Sequence, residues 1–342
     1  MRQLGAALVL ATLLAACGSH VPGRAAAAGA AGAKALALRG GFVNEAFGDR
    51  TYKLYVPKAL PAGNVPLVVM LHGCTQDPDQ FAAGTRMNAL ADKEGALVLY
   101  PDQPRLAHPF KCWKWFDPAS QQRAGKGEAG IIAGMVEQVA KARPVDRGAI
   151  YAAGISAGGA MTAILGATYP DVFSAISVAS GIEYAAASSE MEGRTVMSKG
   201  GPDPATTGRR AYEAMGQHAR VMPTIVFHGA DDRIVAPLNA DQVVGQWAQT
   251  NDLAANGKDD DDVDAVPDGK EEAQAPNGRR YTRWFFKDAQ GKTVIEKVAV
   301  SGMGHAWSGG DSAGSYTDPL GPDATRMTWD FFRANRRKAA KV

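Results

Sequence analysis

This sequence has little net charge, few long apolar runs and no internal repeat. The 37 lysines and arginines nearly balance 35 aspartates and glutamates, which leaves a net charge of +2 and gives no electrostatic basis for a nucleic-acid partner. Beyond the N-terminal segment, no run is long and apolar enough to span a bilayer. A length of 342 residues, 46% of them hydrophobic and 21% charged, is typical of one large globular domain with a substantial core.

Cysteine is also scarce, and the first of the three cysteines ends a segment that resembles a bacterial lipoprotein signal. Arg2 supplies a short positive region, residues 6–16 are apolar, and the run Leu-Ala-Ala-Cys ends at Cys17. We therefore interpret residues 1–17 as a lipoprotein-type signal peptide with Cys17 as the lipidated residue. The alternative is a plain secretory signal with an incidental cysteine.

The residues after this signal predict where the protein is located and how it is organised. Gly18 stands where an aspartate would retain such lipoproteins in the inner membrane, so an outer-membrane location is favoured, with secretion as the alternative. Residues 18–40 are rich in alanine and glycine and predict a flexible tether. We expect a single monomeric domain over residues 41–336, a basic tail at 337–342, and membrane contact only through the lipid anchor.

The two remaining cysteines, Cys74 and Cys112, form an even pair in a chain that we expect to be exported. Export favours a disulfide between them over two buried free thiols. On the chain-entropy account, a bridge that closes a loop of this length contributes about 4 kcal/mol, less any strain.

One short stretch carries most of the functional information. An apolar run over residues 149–153 ends in Gly154-Ile155-Ser156-Ala157-Gly158, and an Ala-rich run over residues 160–169 then predicts a helix. This is the strand–turn–helix context of a nucleophile elbow, in which the glycines permit a tight turn and Ser156 is exposed at its tip. The alternative is a chance Gly/Ser turn, since the bare pentapeptide is common in Gly-rich proteins.

Strand-like and helix-like segments alternate along the rest of the chain. Polar and apolar residues alternate over residues 50–56, which predicts a half-buried strand, and the apolar run 67–71 predicts a central one. The alternation predicts an α/β fold with a mainly parallel central sheet and helices on both faces. Further strands are predicted at 96–100, 175–179, 224–227, 280–286 and 293–300, and helices at 81–93, 127–142, 238–250 and 325–336.

A serine nucleophile needs a base and a third group that orients the base. His305 follows the last predicted strand and is the best candidate for the base. Asp232 is preferred to its neighbour Asp231 as the acid because it fits a His-Gly-x-x-Asp-x-x-Val pattern. The alternative for Asp232 is a turn-forming aspartate. The order Ser156, Asp232, His305 is that of α/β-hydrolases.

Two other histidines follow strands, but His72 precedes the serine and His228 precedes the acid. We interpret both as bracing their loops by hydrogen bonds. The backbone N–H groups of Cys74 and Ala157 are the predicted oxyanion-hole donors, because they follow a strand end and the nucleophile respectively. A bridge from Cys74 to Cys112 would also stiffen this loop.

Six motifs occur in order and together are far more specific than Gly-x-Ser-x-Gly alone. They are Leu71-His72-Gly73-Cys74-Thr75-Gln76, Cys112-Trp113-Lys114-Trp115-Phe116, Gly154-Ile155-Ser156-Ala157-Gly158-Gly159-Ala160-Met161, Tyr169-Pro170-Asp171, Gly304-His305-Ala306-Trp307-Ser308-Gly309-Gly310 and Gly321-Pro322-Asp323-Ala324. Over residues 40–335 the chain resembles the esterase family of polyhydroxybutyrate depolymerases, to which feruloyl and acetylxylan esterases are related. The resemblance implies an α/β-hydrolase fold, ester hydrolysis, no cofactor, and the triad and oxyanion residues named above.

Two further features allow more than one interpretation. Trp113, Trp115 and Trp307 are candidates for the substrate cleft, with packing in the core as the alternative. The acidic segment 256–277 is interpreted as a solvated surface insertion. A calcium site there would lack the glycine spacing of an EF-hand loop, and no metal site is predicted.

The sequence thus predicts an exported serine esterase acting on poly- or oligo-hydroxybutyrate-type or other short-chain esters. One alternative is a feruloyl or acetyl esterase that acts on carbohydrate esters with the same machinery. A second alternative, from a different class, is a catalytically silent surface-binding lipoprotein. The substrate class depends on the family resemblance alone.

Overall fold

The computed structural model describes residues 40–123, 127–276 and 278–337. The predicted signal with Cys17, the tether up to residue 39 and the tail from residue 338 lie outside the described residues. The strands are β1 Gly41–Phe47, β2 Arg50–Val56, β3 Val65–Leu71, β4 Leu97–Pro101, β5 Val145–Ile155, β6 Ala175–Ala179, β7 Thr224–Gly229, β8 Gly269–Gln274, β9 Arg280–Lys287, β10 Thr293–Val300, β11 Trp307–Ser308 and β12 Thr317–Asp318. The α-helices are α1 Pro78–Thr85, α2 Met87–Glu94, α3 Glu128–Ala142, α4 Ala157–Thr168, α5 Glu190–Lys199, α6 Pro204–Met215, α7 Leu238–Asn256 and α8 Ala324–Ala334.

Ten of the strands form one sheet in the order β1-β2-β4-β3-β5-β6-β7-β10-β9-β8. The six central strands, from β4 to β10, pair in parallel, and antiparallel strands complete both edges. The predicted mainly parallel sheet is therefore confirmed. Because parallel strands end at the same edge of a sheet, the loops after β3, β5, β7 and β10 converge.

The apolar run of β3 shows why helices cover both faces of the sheet. Leu67, Val69 and Leu71 pack into a core that includes residues of α3, α4 and α7. Val68 and Met70 point the other way, into a second core that includes residues of α1, α2 and α8. A strand that is buried on both faces needs apolar residues at every position, as the continuous run predicted. Among the described residues, no helix is long and apolar enough to cross a membrane.

The structure departs from the predicted elements at several places, and strands β1, β11 and β12 were not predicted. The helix predicted over 81–93 is two helices, because Arg86 adopts a left-handed conformation (φ 57°) and caps α1. The acidic insertion 256–277 is not wholly loop: its later part forms the edge strand β8, whose lysine and glutamates suit a solvated edge. Helices α5 and α6, between β6 and β7, were not predicted.

The two unpredicted helices do carry start signals in the sequence. The Ser189 side chain accepts a hydrogen bond from the Glu192 N–H, which is a Ser-x-x-Glu cap. Asp203 caps α6 by accepting from two backbone N–H groups, and Pro204 follows at the first helical position. Both helices are mainly polar, so no apolar run marks them in the sequence.

The turn between β5 and α4 leaves no space for side chains at its two glycines. A Cβ on Gly154 would lie 2.4 Å from the Gly158 carbonyl oxygen. A Cβ on Gly158 would lie 2.1 Å from the carbonyl oxygen of Leu71, on the neighbouring strand β3. The glycines therefore let the elbow pack directly against β3.

We expect Gly158→Ala to lower the free energy of unfolding by about 3 kcal/mol, because the added methyl group forces two backbone segments apart. Chemical denaturation monitored by circular dichroism measures this change. Gly269→Ala is the matched control, since its Cβ would meet only a Phe285 ring carbon at 3.6 Å. Equal stability of the two variants would contradict the packing described here.

Candidate active site

Ser156 is the single residue between β5 and α4. Its backbone conformation is one that non-glycine residues rarely adopt. Its φ and ψ angles are 58° and −124°. The Ser156 N–H donates to the Ala179 carbonyl at 2.9 Å, which fixes the turn against β6. The first turn of α4 begins directly behind it, so the hydroxyl lies at the positive end of a helix.

Asp232 and His305 come together because β7 and β10 are parallel neighbours. The His305 Nδ1 lies 2.7 Å from the Asp232 Oδ2. The other carboxylate oxygen, Oδ1, accepts from the N–H groups of Ile234 and Val235, each at 2.9 Å. Asp231, by contrast, is exposed. Among the two adjacent aspartates, only Asp232 contacts His305.

His228 contributes a further contact to the same carboxylate. Its Nε2 donates to the Val235 carbonyl at 2.9 Å and lies 3.4 Å from the Asp232 Oδ2. Burial alone would raise the pKa of Asp232, but the hydrogen bonds from His228, His305 and the Val235 amide outweigh it and hold that pKa well below its usual range. Asp232 is therefore a fixed negative charge beside His305.

Ser156 and His305 face one cavity of about 100 Å³. No hydrogen bond joins their side chains in the described structure, as is common in such sites before a substrate binds. The remaining walls come from several different loops and from α5. The lining residues are Gly73, Cys74, Gln76, Ile155, Ser156, Met197, Ile234, His305 and Tyr316.

The loop of residues 72–76, called the oxyanion loop below, reaches the cavity from the end of β3. Neither the Cys74 N–H nor the Ala157 N–H donates a hydrogen bond to an acceptor among the described residues. The predicted disulfide between Cys74 and Cys112 is present. The Trp113 Nε1 also donates to the His72 carbonyl at 3.0 Å. The loop is thus tied firmly to the segment around Cys112.

Both strand-end histidines brace their loops, as interpreted from the sequence. The His72 Nε2 accepts from the Gln103 N–H at 3.2 Å, and its Nδ1 lies 2.8 Å from the Gly73 carbonyl. Burial lowers the pKa of His72, which favours the neutral ring that this acceptor role requires. His228 contacts its own loop through Val235.

The three tryptophans proposed for the substrate cleft do not line it. Trp113, Trp115 and Trp307 are 2%, 5% and 1% exposed. The Trp307 ring packs edge-on against Phe81, and its Nε1 donates to the Thr325 hydroxyl at 3.0 Å. Their cleft assignment is corrected to core packing, because each ring is enclosed by the body of the domain.

Six of the nine residues that line the cavity stand in the quoted motifs, and sequence reasoning missed the other three. Met197 lies on α5, Ile234 follows Asp232 by two residues, and Tyr316 packs its ring 6.0 Å from that of His305. Their side-chain directions depend on tertiary packing, which no local pattern encodes.

The acidic residues of the insertion are engaged by hydrogen bonds and ion pairs. Asp259 pairs with Arg209 and accepts from Gln249. Asp260 accepts from the Asn256 side chain. Among the residues with described positions, no group of three or more His, Cys, Asp or Glu side chains could hold a metal ion.

Comparisons with known proteins agree with this geometry. A family model described as "Esterase PHB depolymerase" matches residues 50–266. The chain is 33% identical over 253 residues to poly(3-hydroxyalkanoate) depolymerase C of Paucimonas lemoignei, covering 73% of this chain and 57% of that protein. It is 31% identical over 217 residues to feruloyl esterase B of Thermothelomyces thermophilus, covering 59% and 72%. The chain thus spans little more than half the length of the depolymerase.

Among solved structures, an acetyl xylan esterase from Aspergillus awamori superposes with a TM-score of 0.70 at 22% identity. The alignment covers 86% of this chain and all of that one. This likeness shows the fold, and the predicted α/β-hydrolase fold is confirmed. The family match confirms the resemblance inferred from the motifs.

Glu183, in the loop after β6, is a buried ionisable group outside the Asp232 cluster. It is 2% exposed, and its Oε2 accepts from the Thr207 hydroxyl at 2.6 Å while its Oε1 has no partner. Burial, aided by the nearby charge of Asp203 and only partly opposed by Thr207, raises the pKa of Glu183 to about 8. The carboxyl is therefore protonated in the folded protein at neutral pH.

A raised carboxyl pKa stabilises the fold below the unfolded pKa, and this stabilisation is lost as pH rises towards the folded value. Wild-type stability should therefore fall between about pH 4.5 and 8, relative to Glu183→Gln, which cannot ionise. We expect the variant to unfold several degrees above the wild type at pH 8 and close to it at pH 5. Thermal unfolding of both proteins across this range measures the difference, and parallel pH profiles would contradict the assignment.

Proposed function

Because the chain belongs to the Esterase PHB depolymerase family, we propose that it is a serine esterase that hydrolyses carboxylic esters through an acyl-enzyme. The observation that carries the proposal is the His305–Asp232 pair, 2.7 Å apart, which shares a cavity with Ser156 at the tip of a nucleophile elbow. Each of the three residues follows a different parallel strand, in the chain order expected of the fold.

Ser156, His305 and Asp232 each have a distinct role in the proposed reaction. The Ser156 hydroxyl attacks the ester carbonyl, and the His305 Nε2 takes its proton and returns it to the leaving alcohol. Asp232 accepts a hydrogen bond from the His305 Nδ1–H, which fixes the tautomer that leaves Nε2 free to act as the base. Water then attacks the acyl-enzyme by the same route, releasing the acid and restoring Ser156.

The Cys74 and Ala157 amides bind the oxyanion of the tetrahedral intermediate. Both N–H groups lack an acceptor in the described residues. Cys74 lines the cavity, and Ala157 directly follows Ser156. One such donor typically contributes about 3 kcal/mol to transition-state stabilisation. The Cys74–Cys112 bridge holds the first donor in place.

The cavity favours a short aliphatic acyl group. Its volume of about 100 Å³ is below the ~150 Å³ of a cavity that holds a benzene ring. Met197, Ile234 and Tyr316 give it an apolar wall. Hydroxybutyrate-type oligomers and other short-chain esters therefore fit the site better than feruloyl esters. An acetyl esterase acting on carbohydrates is the second candidate, because its acyl group is equally small.

The location of the protein is a separate part of the proposal and depends on the sequence alone. We propose export through the signal at residues 1–17 and lipidation at Cys17. Globomycin treatment of expressing cells should cause accumulation of the uncleaved form. Unchanged processing in treated cells would favour the plain secretory signal instead.

We expect Ser156→Ala to abolish hydrolysis of every ester while the fold is retained. The measurement is a panel of aryl acetates and butyrates, hydroxybutyrate oligomers, methyl ferulate and acetylated xylan, with labelling by a fluorophosphonate probe beside it. Ser180→Ala is the matched control, since Ser180 also follows a parallel strand at positive φ. Turnover by Ser156→Ala at the wild-type rate would exclude the mechanism, and an inactive wild type would favour a silent binding protein.

Asp232→Asn should reduce kcat about 10⁴-fold, because an amide in place of the carboxylate stabilises the wrong histidine tautomer. Asp231→Asn is the control, since this neighbouring side chain is exposed and does not contact His305. Kinetics on a soluble aryl ester at pH 7 compare the two. The opposite ranking would transfer the role to Asp231.

A further inference from the structure

Gln76 is a buried polar side chain at the cavity wall to which the mechanism above gives no role. It is 1% exposed. Its Oε1 accepts from the Gly73 N–H at 2.9 Å, within the oxyanion loop. Its Nε2 donates to the carbonyl oxygen of Ser315 at 2.8 Å and to the Ser315 hydroxyl at 3.2 Å. One side chain thus joins two loops that are 239 residues apart in the chain.

The first end of this bridge acts on the oxyanion donor. Gly73 immediately precedes Cys74, and a Cβ on Gly73 would lie 3.4 Å from the Ser156 Cβ, so the loop backbone passes beside the nucleophile. The disulfide, the Thr75 N–H bond to the Phe110 carbonyl and the Trp113 bond to the His72 carbonyl tie the loop to the segment around Cys112. The Gly73 carbonyl lies 2.8 Å from the His72 Nδ1 and accepts from the Gln76 N–H at 3.3 Å. The Gln76 side-chain oxygen fixes the His72–Gly73 peptide, which immediately precedes the peptide that carries the Cys74 N–H.

The second end of the bridge acts next to the base. Ser315 precedes Tyr316, whose φ of 53° lies in the left-handed region. The Tyr316 ring stands edge-on to the His305 ring, with centroids 6.0 Å apart. The Tyr316 carbonyl accepts from the Trp307 N–H at 2.8 Å, which ties this loop to the segment that carries His305.

We propose that Gln76 is a positioning residue that sets the oxyanion donor and the wall beside the catalytic base in one fixed arrangement. The proposal rests on the esterase function proposed above. Gln76 acts through the Cys74 N–H and through Tyr316, not on the substrate carbonyl itself. Loss of the bridge should therefore weaken binding of the transition state more than binding of the substrate.

The test compares an oxygen ester with the matching thionoester in the wild type and in Gln76→Met. Sulfur is a poor acceptor of N–H hydrogen bonds, so a thionoester gains little from the oxyanion amides. We expect Gln76→Met to lose roughly 10- to 100-fold in kcat for the oxygen ester, with KM little changed. The ratio of oxygen-ester to thionoester kcat/KM should fall by a similar factor, which a general loss of folded enzyme would not produce.

Gln246→Met is the matched control for burial. Gln246 is also a buried glutamine with both ends on backbone groups, those of Tyr184, but it does not line the cavity. Its substitution should lower the unfolding temperature and leave the ester-to-thionoester ratio at the wild-type value. An equal fall of the ratio in this control would overturn the proposal.

Gln76→Glu provides a second variant should Gln76→Met fail to fold. It keeps an acceptor for the Gly73 N–H but sets a carboxylate oxygen against the Ser315 carbonyl, so the ratio should again fall. A wild-type ratio in the folded variant overturns the role of Gln76 and leaves the esterase assignment intact. A wild type that hydrolyses neither ester overturns the proposed function itself.

Discussion

The close packing of the elbow against strand β3 is the constraint on which the rest of the site depends. Gly158 lies so near the carbonyls of Leu71 and His72 that no Cβ fits between them. The contact that holds Ser156 therefore also holds the start of the oxyanion loop. Ser156 and the unpaired amides of Cys74 and Ala157 consequently lie close to one junction between two parallel strands. Preorganised donors of this kind need no rearrangement when charge develops on a substrate oxygen.

Two buried carboxyl groups show how the number of donors decides the sign of a pKa shift. Asp232 and Glu183 are 4% and 2% exposed. Asp232 receives hydrogen bonds from two backbone amides and contacts two histidines, so its charge is stabilised and its pKa falls. Among the described residues, Glu183 accepts a side-chain hydrogen bond only from the Thr207 hydroxyl, at one of its two oxygens. Desolvation therefore dominates, and the pKa of Glu183 rises. Burial alone thus does not determine which carboxyl can serve as an anionic partner of a histidine.

The parts of the fold that could be predicted from the sequence are those that depend on the pattern of residues within one segment. The bounds predicted for β2, β6 and β10 match the structure because strong alternation or continuous apolar runs mark them. The break at Arg86 was not visible, since a left-handed arginine has no sequence signature comparable to glycine. Strand β8 was hidden by its charged composition, which is the composition that a solvated edge strand tolerates. The order of Ser156, Asp232 and His305 along the chain was enough to identify the last two as candidates without knowledge of their contact.

The walls of the cavity were harder to predict, for a different physical reason. Trp307 is only two residues from His305, yet its ring is buried against Phe81 while His305 faces the cavity. Proximity in sequence gives the position of a backbone, whereas the direction of a side chain is set by packing among distant segments. The contact between Gln76 and Ser315 is a second example, because it joins two loops that are 239 residues apart in the chain. Substitutions in these loops and in α5 can therefore reshape the cavity without disturbing the junction that holds Ser156.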